Sequence, residues 1–162
     1  MVQEPIASLH PPRGQRASSE KTARPIRNAR RWPRGMLSAM IRQIAPQFFT
    51  PDIPATLAYY RDKLVFDCLG TWLDPPVYAI VARDQHRIHF RSAEPPAANP
   101  DKYADELLDA YLLIDDADAL YAEFATRGVE FTRGLANTPW HSREFVVKDC
   151  DGRLLAFGAN PE

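Results

Sequence analysis

The chain has 162 residues, of which 45% are hydrophobic and 25% charged, with 15 Pro against 7 Gly. This composition excludes a collagen, a coiled coil and a wholly disordered chain. No stretch reaches the ~18–20 apolar residues that a membrane-spanning helix needs. The length suits one domain or two small fused halves.

The formal net charge of −1 conceals two parts of opposite sign. Residues 1–35 hold eight basic residues against two acidic ones, so that the rest of the chain carries a net charge of −7. Because the basic part has five Pro and no apolar periodicity, we predict that residues 1–40 are a disordered tail or a mis-assigned start before Met36 or Met40. One short basic run without a folded recognition element is weak evidence for nucleic-acid binding, so we expect none.

Regular patterning begins at residue 41. A strand is predicted over residues 41–49, and Thr50-Pro51-Asp52 then opens a helix. The apolar residues of this helix recur at spacings of four, three and four, which places them on one face. They are Ile53, Leu57, Tyr60 and Leu64. Three further strands are predicted over residues 65–72, 77–82 and 87–91.

The same order recurs after a proline-rich joint at residues 94–100. A strand over residues 109–114 precedes a helix over 116–127, which Gly128 ends. The last three predicted strands cover residues 129–132, 143–148 and 153–157.

The two halves align at a constant offset of 64, which brings Tyr60 onto Phe124. We therefore predict an α+β fold in which two βαβββ units, residues 41–92 and 108–160, form one domain over residues 41–160. The predicted mixed sheet curls around a cleft.

Several short segments carry a resemblance to a known family. They are residues 49–53, 59–64, 119–124, 139–145 and 149–154, including Pro139-Trp140, Arg143-Glu144-Phe145 and Asp151-Gly152. Over residues 41–160 the chain resembles the vicinal oxygen chelate superfamily of glyoxalases, bleomycin-resistance proteins and dioxygenases, and within it the bleomycin-resistance branch most closely. Val65 stands where the family usually has Gly after the first helix, and Cys150 stands where it has Pro in a turn. We interpret Cys150 as a turn residue because no basic neighbour activates it.

The metal-using members of the family place one ligand on the first and one on the last strand of each unit. By position these ligands become Ala45, His89, Asp109 and Ala156, and two alanines cannot bind a metal ion. A third ligand would have to come from Gln43 or Gln47. We therefore expect no metal, no cofactor and no catalytic residue, and we interpret Asp109 as a solvated residue at a strand start.

The resemblance implies a ligand cleft lined by aromatic side chains, which stack on planar ligands. The candidate ligand-binding residues are Trp140, Tyr111, Trp72, Tyr78, Phe49, Arg87, His89 and Arg91. Strand alternation directs Ile88 and Phe90 toward the helix. It directs Arg87, His89 and Arg91 toward the cleft. The alternative interpretations are that Trp140 plugs the fold and that Tyr78 belongs to the core.

The function implied by the resemblance is that of a metal-free, homodimeric, cytoplasmic protein that sequesters an antibiotic or similar planar ligand in a cleft at the dimer interface. The acidic body attracts a cation at long range, whereas Arg87, His89 and Arg91 favour a carboxylate or phosphate locally. The alternative is an enzyme of the same superfamily, a lyase, isomerase or dioxygenase, that acts on a small anionic metabolite through His89.

Overall fold

A computed structural model of the chain describes residues 42–160, so the tail predicted over residues 1–40 lies outside the described residues. The described part contains two helices, α1 (Ile53–Asp62) and α2 (Ala117–Thr126). Eight strands accompany them: β1 (Gln47–Thr50), β2 (Asp67–Trp72), β3 (Tyr78–Arg83), β4 (His86–Ser92), β5 (Ala110–Leu113), β6 (Glu130–Asn137), β7 (Arg143–Lys148) and β8 (Leu154–Ala159). Neither helix is long and apolar enough to cross a membrane.

The strands form two four-stranded mixed sheets, one for each half of the chain. The first sheet has the order β1-β4-β3-β2 and the second has the order β5-β8-β7-β6. In each sheet the strand before the helix runs parallel to the last strand, and the other neighbours are antiparallel. The predicted α+β fold of two βαβββ units is confirmed.

The two helices begin in the same way, which confirms the internal repeat. Asp52 and Asp116 each occupy the N-cap, and each carboxylate accepts a hydrogen bond of 2.9 Å from the backbone N–H three residues later. This bond satisfies one of the donors that the first turn of a helix leaves free. The caps lie 64 residues apart, as the alignment of the halves predicts.

The two helices end differently. After α2, Gly128 adopts the left-handed conformation with φ +65°, as predicted, and the N–H of Val129 donates to the carbonyl of Phe124. After α1, the left-handed residue is Val65 at φ +60°, one position later than Gly128 in the alignment of the halves, and the N–H of Phe66 donates to the carbonyl of Tyr60. A β-branched residue is strained in this region because its Cβ approaches the backbone. The first unit therefore makes with a valine the turn that the second makes with glycine.

One hydrophobic core joins the helix-facing sides of both sheets. Its largest fully buried side chains include Tyr60, Phe90, Phe124 and Phe145. Arg153, from the turn before β8, lies 5.0 Å from the centre of the Phe48 ring and also contacts the Phe90 ring. The two units therefore share their apolar interior. The opposite face of the second sheet buries a smaller cluster of Val146, Leu154 and Ala156, and the remaining parts of the two opposite faces are left to form a site.

Two strand boundaries differ from the prediction by five residues or more. The first strand begins at Gln47 rather than at 41, because Pro46 has no N–H to donate, although its carbonyl accepts from the N–H of His89 at 3.0 Å. Strand β6 continues to Asn137 rather than ending at 132, through two irregularities in its pairing with β7 around Arg133.

Candidate functional site

The open face of the first sheet, opposite its helix, collects six of the eight predicted ligand-binding residues. In β4, Ile88 and Phe90 are buried in the core, and the Phe90 ring lies 4.8 Å from that of Tyr60 in α1. Arg87, His89 and Arg91 therefore point the other way, as the alternation predicts. We call this surface the first open face; it comprises Gln47, Phe49, Trp72, Tyr78, Ile80, Arg87, His89 and Arg91.

Three aromatic rings form a continuous row across the first open face. Trp72 and Tyr78 pack edge to face with centroids 5.3 Å apart, and Tyr78 packs in the same way on His89 at 5.8 Å. The Tyr78 hydroxyl also shares a hydrogen bond with Nδ1 of His89. Because Trp72 is 47% exposed and Tyr78 half-buried on this face, Tyr78 does not belong to the core. The row is an accessible aromatic surface whose neighbouring rings are inclined to each other by 68° and 79°.

Two arginines flank this row without a partner. Within residues 42–160, neither Arg87 nor Arg91 forms an ion pair. Arg91 lies opposite Tyr78 on one neighbouring strand and opposite Phe49 on the other. Phe49 is 38% exposed, so a second aromatic ring borders the same arginine. The first open face thus combines aromatic surface with uncompensated positive charge.

The open face of the second sheet is organised around a buried carboxylate, Glu144 in β7, which is only 2% exposed. Its Oε1 accepts hydrogen bonds from the Tyr111 hydroxyl at 2.8 Å, from Nε1 of Trp140 at 2.9 Å and from the Ser142 hydroxyl. Its Oε2 faces Arg133 Nη2 at 3.2 Å. We call these five residues the Glu144 cluster. Every polar side chain in it has a partner.

At neutral pH the protonation states of the Glu144 cluster are fixed. Burial alone would raise the pKa of Glu144, but the hydrogen bonds from Ser142, Trp140, Tyr111 and Arg133 outweigh it and bring the pKa below the usual 4.5. Burial and the neighbouring Glu144 carboxylate raise the pKa of the Tyr111 hydroxyl. Glu144 therefore stays ionised and Tyr111 stays protonated. The cluster positions rings instead of exchanging protons.

A glycine makes the contact between Tyr111 and Glu144 possible. A Cβ on Gly158 in β8 would lie 2.0 Å from the Tyr111 hydroxyl and 3.0 Å from Cγ of Glu144. The Tyr111 ring therefore lies directly over the backbone of β8. Trp140 remains 62% exposed although its indole N–H is held, so it does not plug the fold. The rings of Tyr111 and Trp140 stay accessible but fixed.

Sequence reasoning missed Glu144, Ser142, Arg133 and Gly158. For Glu144 a signal existed, because it alternates with the core residue Phe145 and so had to face away from the helix. For Gly158 there was none, since nothing local shows that a tyrosine from another strand crosses it.

The eight predicted residues therefore fall into two groups. Trp72 and His89 each contact Tyr78, with Phe49, Arg87 and Arg91 on the same face, while Tyr111 and Trp140 meet on Glu144. In the part of the chain that the structure describes, no hydrogen bond or ring contact joins the two groups. A cavity of about 740 Å³ between the units is lined by both Arg87 and Tyr111, together with core-flanking residues of α2.

The positions that would bind a metal in the family do not form a site. His89 lies on the first sheet, whereas the Asp109 carboxylate precedes the second and is bound by Lys102 Nζ at 2.6 Å and by the backbone N–H of Leu154 at 2.8 Å. Asp109 is exposed directly before β5, and its carboxylate also links Lys102 to the start of β8. Among residues 42–160 no three His, Cys, Asp or Glu side chains converge as metal ligands. With alanine at 45 and 156, these residues do not fit a metal.

The thiol of Cys150 is no nucleophile. Burial, together with the charges of Asp149 and Asp151, raises the pKa of this thiol to about 12. At neutral pH it is therefore protonated, and the thiolate that would attack a substrate is absent. This agrees with its interpretation as a turn residue.

The comparisons with known proteins agree with this architecture. The model of the Glyoxalase/Bleomycin resistance protein/Dioxygenase superfamily matches residues 41–157. No protein of curated function matches the chain.

Solved structures of similar fold include both enzymes and binding proteins. A glyoxalase-related enzyme from Clostridium phytofermentans is 19% identical with a TM-score of 0.62, and the match covers 76% of this chain and 98% of that one. TioX from Micromonospora sp. ML1 is 15% identical with a TM-score of 0.60, over 74% of this chain and 98% of that one.

A third neighbour was solved with a ligand. The bleomycin-binding protein from bleomycin-producing Streptomyces verticillus, complexed with copper(II)-bleomycin, is 23% identical with a TM-score of 0.58, over 76% of this chain and 99% of that one. At these identities the likeness shows the fold alone, whereas the family model spans both βαβββ units. The chain belongs to the Glyoxalase/Bleomycin resistance protein/Dioxygenase superfamily.

Proposed function

We propose that this protein is a metal-free binding protein that sequesters a planar small molecule, such as an antibiotic, on its first open face. The observation that carries the proposal is the row of contacting rings, Trp72, Tyr78 and His89, which lies accessible on that face. Exposed aromatic rings with few rotatable bonds bind flat ligands at low entropic cost. Protonated Cys150 and the Glu144 cluster offer no nucleophile or base.

A second copy of the chain would close the site. Both open faces expose large apolar side chains, including Trp72, Tyr111, Leu113 and Trp140, which a partner would cover. A neighbour of the same fold was solved in complex with copper(II)-bleomycin. We therefore propose a homodimer in which the Glu144 cluster of one copy presents its fixed rings to the ligand. The free thiols of Cys68 and Cys150 suit the reducing cytoplasm, where we place the protein.

Calorimetric titration tests the binding function. We expect bleomycin or one of a set of planar aromatic antibiotics to bind with a micromolar or lower Kd. Trp72→Ala should weaken this affinity by about 1–3 kcal/mol, because it removes the end of the ring row. Tyr103→Ala is the matched control, since Tyr103 is 50% exposed, lies outside the strands of the first sheet and bonds through its hydroxyl to Gly152 in the second unit. No binding by any compound, or equal losses in both variants, would contradict the proposal.

Sedimentation velocity tests the homodimer. We expect a dimer at micromolar concentration, and we expect Leu113→Glu to dissociate it, because that exposed side chain would meet the partner. Arg61→Glu, on the solvent side of α1, should leave the dimer intact. A wild-type monomer at the concentration where ligand binds would show that one copy suffices.

The second candidate function is an enzyme that uses His89 as an acid–base group. It is supported by the bond between Nδ1 and the Tyr78 hydroxyl, which orients the ring and leaves Nε2 to face a substrate. Mass spectrometry of the ligand after overnight incubation separates the two. Sequestration returns the ligand at its original mass, whereas catalysis changes the mass or structure in wild type and not in His89→Gln.

A further inference from the structure

The charge on the first open face indicates what kind of planar molecule binds there. Six of the other seven arginines in residues 42–160 are paired with carboxylates, and the exposed Arg42 is the exception. Arg83 pairs with Glu123 and Arg143 pairs with Asp118. Arg87 and Arg91 break this rule, although both lie in the middle of a sheet where neighbouring strands could have supplied a carboxylate.

The geometry of β4 places both arginines on one face of the sheet. Residues 87, 89 and 91 share a face, so the two arginine Cα atoms lie about 13 Å apart with His89 midway. An extended arginine side chain reaches about half that distance, so both guanidinium groups can converge above His89 and the Tyr78 hydroxyl. Their planar forks are suited to carboxylate and phosphate oxygens, which they bind in pairs.

The carboxylates of the same face do not cancel this charge. Asp67 is the one acidic residue on these four strands that shares the face. It lies opposite Ala82, and Ala82 lies opposite Arg87. It lies two strands away, at the outer edge, and makes no ion pair with either arginine in the described chain. A cationic ligand on the ring row would therefore be repelled, and an anionic one attracted, at short range.

Resting on the proposed function, we propose that the ligand of the first open face is a planar aromatic anion. Its ring system lies on Trp72 and Tyr78, and its carboxylate or phosphate is held by Arg87 and Arg91. The net negative charge of the body acts at long range and is screened at physiological salt, whereas contacts in the site are not. The local arginines therefore decide the ligand's charge.

Four naphthalene derivatives test this proposal by calorimetry on the full chain. The probes are 2-naphthoate, 2-naphthyl phosphate, the neutral 2-naphthalenemethanol and the cationic 2-naphthylmethylammonium, which share one ring system. We expect at least one anion to bind 10-fold or more tightly than the alcohol, and the ammonium to bind most weakly. The two anions distinguish a carboxylate from a phosphate ester.

Two single variants test whether Arg87 and Arg91 cause the preference for an anion. Arg87→Gln and Arg91→Gln should each weaken binding of the preferred anion by 5- to 20-fold and change binding of the alcohol less than 2-fold. The double variant should bind anion and alcohol equally. Arg61→Gln is the control, because Arg61 is exposed on α1 and paired with Asp62. Since Arg87 and Arg91 have no partner to lose, these variants should retain the wild-type melting temperature.

The outcomes separate this inference from the proposed function. Equal binding of anion, alcohol and ammonium, or tighter binding of the ammonium, would contradict the proposal of an anionic ligand. It would leave the proposed site for a planar ligand unchanged. An anion preference that survives in the double variant would overturn the assignment to Arg87 and Arg91. If no naphthalene binds but an uncharged or cationic antibiotic does, the proposal of an anionic ligand is wrong. If nothing binds, both this proposal and the proposed binding function fail.

Discussion

On the first open face Arg87 and Arg91 lack a carboxylate partner within residues 42–160, whereas on the second Arg133 is paired with both Glu106 and Glu144. The rings differ in the same way. Trp72 packs edge to face on the Tyr78 ring, while Trp140 and Tyr111 are each anchored by a hydrogen bond to one buried oxygen. The two faces are built on the same βαβββ unit and share one core, so this difference comes from a few face residues and not from the fold.

The contrast shows how one unit can serve two purposes. Polar groups whose partners lie within the chain stabilise the fold, and removing one leaves others buried without a partner. Polar groups without a partner add little to folding and are available to a ligand. Substitutions on the second open face should therefore reduce stability, and substitutions on the first should reduce binding alone.

The largest effect is expected from Glu144→Ala. The variant leaves the Tyr111 hydroxyl, the Trp140 indole N–H, the Ser142 hydroxyl and Arg133 without their acceptor, so the free energy of unfolding should fall by about 3 kcal/mol. Urea denaturation followed by circular dichroism measures it. On the first open face, Arg87→Ala should change the same quantity by less than about 0.5 kcal/mol. Similar losses of unfolding free energy in both variants would contradict the proposed difference between the two faces.

Gly158→Ala should cost about 2 kcal/mol, because its Cβ would overlap the Tyr111 hydroxyl at 2.0 Å. The substitution should be far less costly in a Tyr111→Ala background, where the overlapping ring is gone. A double-mutant cycle by denaturation measures this coupling. Additive losses would mean that Gly158 matters for its backbone and not for the tyrosine that crosses it.

Much of the fold was predictable because it rests on local rules. Asp52 and Asp116 are N-caps whose side chains can be identified from sequence, and the spacing of Tyr60 and Phe124 places both in the core. The same alternation that buried Ile88 and Phe90 placed the three basic residues of β4 on the open face. Local periodicity fixes which way a side chain points.

The partners of those side chains were not predictable, because they depend on contacts between distant segments. Tyr111 reaches Glu144 across 33 positions of the chain, and Lys102 binds Asp109 by folding the linker back. Nothing in the alternation of β4 shows that Arg87 and Arg91 lack carboxylates while Arg133 has two. Whether a charge is satisfied is a property of the tertiary structure alone.

The two helix ends offer a smaller test of the same comparison. Val65→Gly should raise the free energy of unfolding by about 1 kcal/mol, because glycine adopts φ +60° without the strain that a valine bears there. Gly128→Ala, at φ +65°, should lower it by about the same amount. Thermal melts of both variants measure the opposite shifts. A stabilising Gly128→Ala would show that the left-handed turn is not what ends α2.

The smallest effect is the pH dependence that Glu144 contributes. Its pKa in the folded protein is lowered below the model-peptide value of 4.5, so its ionised form stabilises the fold above about pH 4.5 and this stabilisation is lost as the pH falls through the folded pKa. The groups facing it are Tyr111 and Arg133, with Glu106 behind the arginine. The stability difference between wild type and Glu144→Gln should therefore be greatest at pH 7 and shrink steadily toward pH 3. Urea denaturation at several pH values measures it, and the exposed acids Asp62 and Asp118, present in both proteins, cancel in the difference. A difference that stays constant with pH would show that Glu144 acts in the Glu144 cluster through its shape and not through its charge.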